Sequence, residues 1–220
     1  MVTHSLHILY AKYISHTYIV VFNANGWNGS MANEDFEYGT PKAISKNTFT
    51  RSGYTFMGWS TNSSSKFTNL ITSLAGQKNV TTISSTKWYV DYTATMDDTY
   101  LNFSTATGNE VVNGKYYTLL FNVSDLTSGS KVVFGFPAQS LNKTKLKNGL
   151  NKIRFLMNGG VNPNRYVFDD FVKNRTQKFY LSDFKLWESI GKDYYDEESI
   201  SDISEINNDT VTLYAVWKKN

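Results

Sequence analysis

The chain contains no cysteine, and only three prolines and three histidines among its 220 residues. The lack of cysteine excludes a disulfide framework, a thiolate metal site and a cysteine nucleophile. The three histidines are His4, His7 and His16, so a Ser-His-Asp triad would have to take its histidine from the N-terminal end. No stretch approaches the roughly eighteen apolar residues of a membrane span, and a net charge of +3 is too small to indicate a nucleic-acid partner.

The residues that are abundant favour β-structure, since 15 tyrosines and 14 phenylalanines are typical of strands. Residues 18–23 (YIVVFN) alternate with a period of two, and both alternating sets are largely apolar. This pattern predicts a strand buried on both faces. The Asn25–Gly26 pair then predicts a turn. Near the other end of the chain, Val211, Leu213, Ala215 and Trp217 alternate with more polar residues and predict a second strand.

Three motifs in these terminal stretches resemble the Listeria–Bacteroides repeat, the B-type repeat of internalin-like surface proteins. They are residues 21–26 (VFNANG), 49–59 (FTRSGYTFMGW) and 211–218 (VTLYAVWK). The resemblance implies a small β-grasp-like domain with an extracellular or surface-exposed, non-enzymatic role. About 130 residues replace the short loop that follows the Gly-Trp strand in the family. We therefore predict one discontinuous domain, 18–61 plus 194–220, preceded by an N-terminal arm, 1–17, and interrupted by an inserted domain, 62–193.

The insertion shows short strand patterns separated by Gly- and Asn-containing turns. The predicted strands are 80–83, 87–95, 115–123, 131–136, 150–157, 165–171 and 178–188. No helical period of ten residues or more appears among them. Seven or eight short strands with this spacing predict a β-sandwich, and specifically a jelly roll. The fold class is therefore mainly β, a small β-grasp-like repeat domain with an inserted jelly-roll sandwich.

The later part of the insertion, ending in residues 179–187 (FYLSDFKLW), is similar in pattern to carbohydrate-binding-module-like jelly rolls. Such modules imply a possible glycan ligand, which binds to exposed aromatic faces beside a few polar groups. The candidate ligand-binding residues are Tyr89, Tyr92, Tyr100, Tyr166, Tyr180 and Trp187. Most aromatic side chains of a sandwich this small belong to its core, and Trp88 is predicted to be one of them.

No enzyme motif is recognised, so we predict no catalytic residues, no metal site and no cofactor. The acidic pairs Asp97–Asp98 and Asp169–Asp170 could in principle hold calcium, but the dense spacing of a calcium loop is missing. The insertion holds 16 Lys and Arg against 10 Asp and Glu, whereas the rest of the chain holds 6 against 9. The insertion is therefore basic and the predicted host domain acidic, which suits contact between them or with a neighbouring subunit.

Two function classes remain. The first is a virion structural or decoration protein of a phage, such as a head-fibre or tail component, because the fold is of a surface type and no signal peptide is recognised at the start. It would sit on the virion surface beside other virion proteins, as a homo-oligomer or in a capsid lattice, without nucleic acid or membrane contact. The alternative is a module of a bacterial cell-surface adhesin or secreted carbohydrate-binding protein.

Overall fold

The computed structural model describes residues 14–77, 79–93, 99–127, 132–135, 144–157, 165–170 and 176–220. Within these ranges the chain forms strands and no helix, which confirms the mainly β fold class. It follows that no helix in this part of the chain could cross a membrane. The first thirteen residues of the predicted arm, with His4 and His7, lie outside the described residues.

Seven strands come from the two ends of the chain and form what we call the terminal unit. They are β1 (Thr17–Asn23), β2 (Glu34–Glu37), β3 (Lys42–Ala43), β4 (Tyr54–Ser60), β15 (Asp193–Tyr194), β16 (Ser199–Ile200) and β17 (Asp209–Lys219). Ten strands lie between β4 and β15 and form the sandwich unit. They are β5 (Ile71–Gln77), β6 (Val80–Ser84), β7 (Lys87–Thr93), β8 (Thr99–Thr105), β9 (Tyr116–Ser124), β10 (Val132–Gly135), β11 (Thr144–Lys145), β12 (Gly149–Leu156), β13 (Arg165–Asp170) and β14 (Thr176–Glu188).

The main sheet of the terminal unit joins the two ends of the chain. Its order is β15-β4-β17-β1-β2, with β1 parallel to β17 and β4 antiparallel to β17. The two ends of the intervening segment lie side by side, because Tyr194 pairs with Trp59 and the Thr61 N–H donates to Lys192 O at 3.0 Å. The sandwich unit therefore leaves and rejoins the terminal unit at adjacent points, where β4 ends and β15 begins.

The prediction that β1 is buried on both faces is wrong. Tyr18, Val20 and Phe22 are buried, whereas Ile19 is 38% exposed and Val21 is half-buried. Successive side chains of a strand point to opposite faces of its sheet. Tyr18, Val20 and Phe22 face the hydrophobic cluster around Trp59, whereas the second apolar set of β1 lies on the opposite face and remains partly in solvent.

Trp59 lies at the centre of the terminal unit and is fully buried. The rings of Phe22, Phe49 and Phe56 surround it at centroid distances of 5.0, 5.9 and 4.9 Å, the last two in edge-to-face geometry. Such aromatic pairs add about 0.5–1.5 kcal/mol each beyond the area that they bury. The segment between β2 and β4 covers the sheet with Ile44 and Phe49. The structure describes this segment in full, and it contains no helix.

The sandwich unit is a jelly roll, as predicted. Its sheets have the orders β12-β9-β14-β7-β6 and β11-β10-β13-β8-β5. Strands β7 to β10 alternate between the two sheets, and β11 to β14 return beside them in the antiparallel order of a double Greek key. Strands β6 and β5 each add one edge strand to this eight-stranded arrangement. The predicted strands correspond to β6, β7, β9, β10, β12, β13 and β14, whereas β5, β8 and the two-residue β11 were not predicted.

The core of the sandwich follows the predicted alternation. The inward residues of β9 and β12 are buried as expected: Tyr117, Leu119, Phe121, Val123, Ile153 and Phe155, with Met157 just beyond. Trp88 is also buried, as predicted. These residues form a hydrophobic cluster separate from the cluster around Trp59. Each unit therefore buries its own apolar residues.

A buried polar network connects the two units. The Asp193 carboxylate accepts hydrogen bonds from Ser60 Oγ at 2.9 Å and from the Trp187 indole N–H at 3.0 Å. Ser65 Oγ lies 2.7 Å from Ser60 Oγ. Lys152, on β12 of the sandwich, donates to Asp193 O at 2.7 Å. Because buried polar groups are costly unless satisfied, this network holds the two units in one relative position.

Candidate functional site

Two of the predicted ligand-binding tyrosines lie together on the outer face of the sheet β12-β9-β14-β7-β6. Tyr89 on β7 pairs directly with Tyr180 on β14, and their rings are 5.1 Å apart at an interplanar angle of 49°. The residues that flank them along the strands, including Val90 and Phe179, point into the core and are fully buried. The pleat therefore turns both half-buried tyrosines away from the core and towards solvent.

Polar groups adjoin this pair where β14 is irregular. The register between β14 and β9 shifts between Ser182 and Lys185, and Asp183 adopts a φ of +58° there. The Asp183 carboxylate accepts hydrogen bonds from Ser182 Oγ at 2.7 Å and Asn122 Nδ2 at 3.2 Å. These hydrogen bonds, that of Ser182 foremost, hold the pKa of Asp183 below its usual value. The site thus presents an ionised acceptor beside an amide and a hydroxyl.

Two lysines complete the surroundings of the tyrosine pair. Lys87 Nζ lies 4.3 Å from the centroid of the Tyr180 ring, within the range of a cation–π contact. Lys178 Nζ lies 3.3 Å from Asp91 Oδ2, and this exposed pair raises the pKa of Lys178 through its hydrogen bond with Asp91. We call Tyr89, Tyr180, Asn122, Ser182 and Asp183 the tyrosine face. It combines aromatic surface with both donors and acceptors, the chemistry that a neutral or weakly charged sugar requires.

Of the other four candidates, Trp187 has a described side chain, and it does not join the tyrosine face. Trp187 is 4% exposed, its N–H is bonded to Asp193, and its ring stacks on Phe67 at 4.7 Å. Its assignment as an exposed ligand contact is therefore wrong, because its ring and N–H are engaged inside the protein. Tyr92 lies on β7, whereas Tyr100 and Tyr166 lie on β8 and β13 of the opposite sheet. The side chains of these three tyrosines lie outside the described part of the chain.

Neither acidic pair can be assessed as a calcium site. Asp97 and Asp98 lie outside the described residues, and Asp169 and Asp170 are described only as part of strand β13. Where the structure does describe side chains, no group of three or more His, Asp or Glu residues is arranged to hold a metal ion.

A cleft of about 740 Å³ lies between the two units and was not predicted from the sequence. We call it the interface cleft. It is lined by Arg51, Tyr54, Met57, Lys66, Phe67, Thr68, Asn69, Lys185, Trp217, Lys218 and Lys219. No local motif could have revealed it, because its residues come from four segments that are brought together only when β17 pairs with β4 and the sandwich unit docks.

The comparisons with known proteins bear on one part of the chain. No curated protein and no solved structure matches the chain. A family match covers the first strands of the terminal unit and continues through the connection into β6 of the sandwich. It does not include β17, although β17 lies between β1 and β4 in the sheet. Residues 18–83 match the family model of the Listeria-Bacteroides repeat domain.

Proposed function

We propose that this protein is a non-enzymatic structural protein of a surface, in which the sandwich unit recognises a glycan and the terminal unit anchors it. The observation that carries the proposal is the tyrosine face, where Tyr89 and Tyr180 lie paired and half-buried on the outer face of their sheet. Aromatic side chains with a few fixed polar groups on a rigid scaffold are suited to sugar rings. Tyrosine loses little side-chain entropy on binding, so such a pair is an effective contact surface.

The anchoring role is supported by the edge of the terminal sheet. Strand β2 is the edge strand beside β1 and has only four residues. The Tyr38 N–H donates to His16 O at 2.8 Å, which continues the pairing of β1 with β2 by one residue on each strand. At the outer edge of β2, Asp35 O accepts from Lys42 Nζ at 2.9 Å and Glu37 O accepts from the Thr40 N–H at 3.1 Å. A partner that adds a strand here through backbone hydrogen bonds would displace these two contacts and would leave the tyrosine face open.

The surface that we propose first is that of a phage virion, where the protein would be a decoration, head-fibre or tail component beside copies of itself or other virion proteins. The alternative is a module of a bacterial cell-surface or secreted carbohydrate-binding protein, which the repeat-family match over residues 18–83 favours. Mass spectrometry of purified virions and of a cell-envelope fraction distinguishes them. Enrichment in the envelope fraction alone would reject the virion assignment.

Glycan recognition is tested by binding of the full chain to an array of neutral and acidic saccharides. We expect the double variant Tyr89→Ala/Tyr180→Ala to weaken binding to the preferred saccharide by about tenfold, equivalent to about 1.4 kcal/mol. The matched control is Tyr116→Ala. Tyr116 lies on β9 of the same sheet and, like Tyr180, has a cation over its ring: the Arg154 guanidinium, 4.0 Å from the ring centroid. The proposal is rejected if the control weakens binding as much, or if no saccharide is bound.

A further inference from the structure

The interface cleft has a strongly one-sided charge. Five of its eleven lining residues are arginine or lysine, and none is aspartate or glutamate. Arg51 precedes β4, Lys66 lies in the connection to the sandwich, Lys185 is on β14, and Lys218 and Lys219 end β17. Cations that converge on one cavity repel each other, and an anion bound between them relieves this repulsion.

In the described part of the chain, none of these five cations forms an ion pair within 4 Å. The ion pairs found there involve Lys42, Lys115, Lys152 and Lys178. Among the residues that the structure describes, no carboxylate lies within that distance of the charged groups in the cleft. Lys66, Lys185, Lys218 and Lys219 are also exposed, so their ammonium groups remain available to a ligand.

Of the five cations, Arg51 is the one whose charged group is held between aromatic rings. Its guanidinium lies over two rings, 3.9 Å from the centroid of Trp27 and 3.3 Å from that of Tyr54. Stacking fixes the plane of the guanidinium and so orients its N–H donors. Its Nε is buried and has no hydrogen-bond partner in the protein. A buried donor without a partner destabilises the protein, and a carboxylate or phosphate that reached it and accepted from Nε–H and a terminal N–H together would remove that cost.

The aromatic lining indicates what kind of anion fits. Tyr54 is covered by Arg51, and Phe67 is stacked on Trp187 at 4.7 Å. One face of each of these two rings is therefore occupied, and the third ring in the lining, Trp217, meets Phe56 edge-to-face at 5.5 Å. Single-stranded nucleic acid requires free ring faces on which bases stack. Thr68 is exposed at the cleft and can bond to hydroxyl groups, whereas the Asn69 amide oxygen already accepts from the Ile71 and Leu186 N–H groups. The cleft volume falls within the range of roughly 300–1,000 Å³ that is usual for small ligands.

We propose that the interface cleft binds an acidic oligosaccharide, whose carboxylate or phosphate groups contact Arg51 and the four lysines. Arg51 fixes one anionic group in a bidentate contact, and the lysines neutralise the groups on neighbouring sugars. The site shares no residue with the tyrosine face. Because residues of both units line it, an occupied cleft also stabilises the docking of the sandwich on the terminal unit, by mass action.

The test is fluorescence polarisation of the full chain with four labelled probes: an oligogalacturonate, a glycerol-phosphate oligomer, a neutral malto-oligosaccharide and an oligo-dT. The two acidic probes, of which the second is a polyol phosphate, distinguish a carboxylate from a phosphate source. We expect at least one of them to bind at 50 mM NaCl and to weaken about tenfold at 500 mM, since salt screens exposed charges. The neutral probe should not compete.

Three variants locate the binding. Lys66→Gln/Lys219→Gln should weaken binding of the acidic probe by about tenfold, equivalent to about 1.4 kcal/mol. Lys46→Gln/Lys147→Gln removes two exposed lysines that do not line the cleft. This control should change the affinity for the acidic probe by less than about twofold, because salt screens exposed charges that do not contact the probe. Arg51→Lys keeps the charge but loses the fixed fork, so it should weaken binding as well.

The outcomes separate this proposal from the glycan recognition proposed above. Tyr89→Ala/Tyr180→Ala should leave binding of the acidic probe unchanged, because neither tyrosine lines the cleft. The cleft proposal is overturned if no acidic probe binds at 50 mM NaCl or if oligo-dT binds more tightly than both. It is also overturned if the Lys46/Lys147 control loses as much affinity as the cleft variant.

Discussion

The ion pair between Lys152 and Glu198 should contribute more to stability than an exposed pair in the same protein. Lys152 lies on β12 of the sandwich unit and Glu198 in the terminal unit. Lys152 Nζ lies 2.5 Å from Glu198 Oε1 and 2.7 Å from Oε2, and it also donates to Asp193 O. The change Lys152→Met keeps most of the apolar part of the side chain and removes all three contacts at once.

The expected magnitude follows from burial. Removing one partner of a fully buried pair costs about 3–5 kcal/mol, whereas exposed pairs contribute about 0.2–1 kcal/mol. The side chains of Lys152 and Glu198 are 19% and 13% exposed. Glu198 also keeps a hydrogen bond from the Tyr195 N–H at 2.9 Å when the lysine is lost. We therefore expect Lys152→Met to lower the free energy of unfolding by about 2–3 kcal/mol.

A double-mutant cycle with Glu198→Gln isolates the pair from other effects of each change. The measurement is urea unfolding followed by tryptophan fluorescence and circular dichroism. The matched control is the cycle Lys115→Met with Glu188→Gln, a pair of similar length, 2.8 Å, whose side chains are 48% and 38% exposed. We expect a coupling energy of about 1–2 kcal/mol for the interface pair and less than about 0.5 kcal/mol for the control.

Equal coupling energies in the two cycles would refute the reasoning, because burial is the main difference between the pairs. Salt provides an independent check. Raising NaCl to 1 M should reduce the coupling of Lys115 with Glu188 more than that of Lys152 with Glu198, since buried pairs are screened less. A second unfolding transition in Lys152→Met alone would support the pair's role in joining the two units.

Three further predictions concern single positions. Trp59→Ala should lower the free energy of unfolding by about 3–5 kcal/mol in urea melts, because the ring is fully buried among three phenylalanines; a loss below about 1 kcal/mol would contradict this. Gly58→Ala should abolish the β15–β4 pairing in amide hydrogen exchange, because Gly58 has a φ of +138° and a Cβ would lie 2.4 Å from Tyr194 O; retained protection would refute it. The ionised Asp183 should stabilise the fold above about pH 4, and this contribution is lost as pH falls through its lowered folded pKa. Ser182→Ala should raise that pKa in an NMR titration, and an unchanged value would show that the hydrogen bond is not its main cause.

Much of the fold could be predicted because strand alternation and turn residues are local signals. Asn25 and Gly26 adopt φ values of +56° and +87°, the backbone that an Asn-Gly turn favours. Strands with a clear period of two, such as β9 and β12, were identified within one residue or two of their bounds. Strand β8 was missed, although buried Leu101 and Phe103 alternate with polar neighbours in it. That signal was present and was overlooked.

The tyrosine face shows the limit of residue type as evidence. Tyr89 and Tyr180 were among six aromatic candidates, and only the register between β7 and β14 places them opposite each other. Trp187 belongs to the same strand as Tyr180, and the shift in register between Ser182 and Lys185 places it on the same outer face, because Phe184 and Leu186 are the core residues beyond the shift. There it is buried because its ring stacks on Phe67. The alternation within one strand predicts which side chains share a face of the sheet. It does not predict which other part of the protein covers that face.

The sequence by itself determined the β class, the turns and the inward residues of most strands, because these depend on neighbours within a few positions. Only the tertiary structure decided that one face of β1 stays partly exposed and that five cations meet in the interface cleft. Arg51 and Lys219 are distant in the chain, and they approach only because β17 pairs with β4. Contacts of this kind depend on how the two units dock, which is fixed by the buried hydrogen bonds of Asp193 and Lys152 and by no periodicity in the chain.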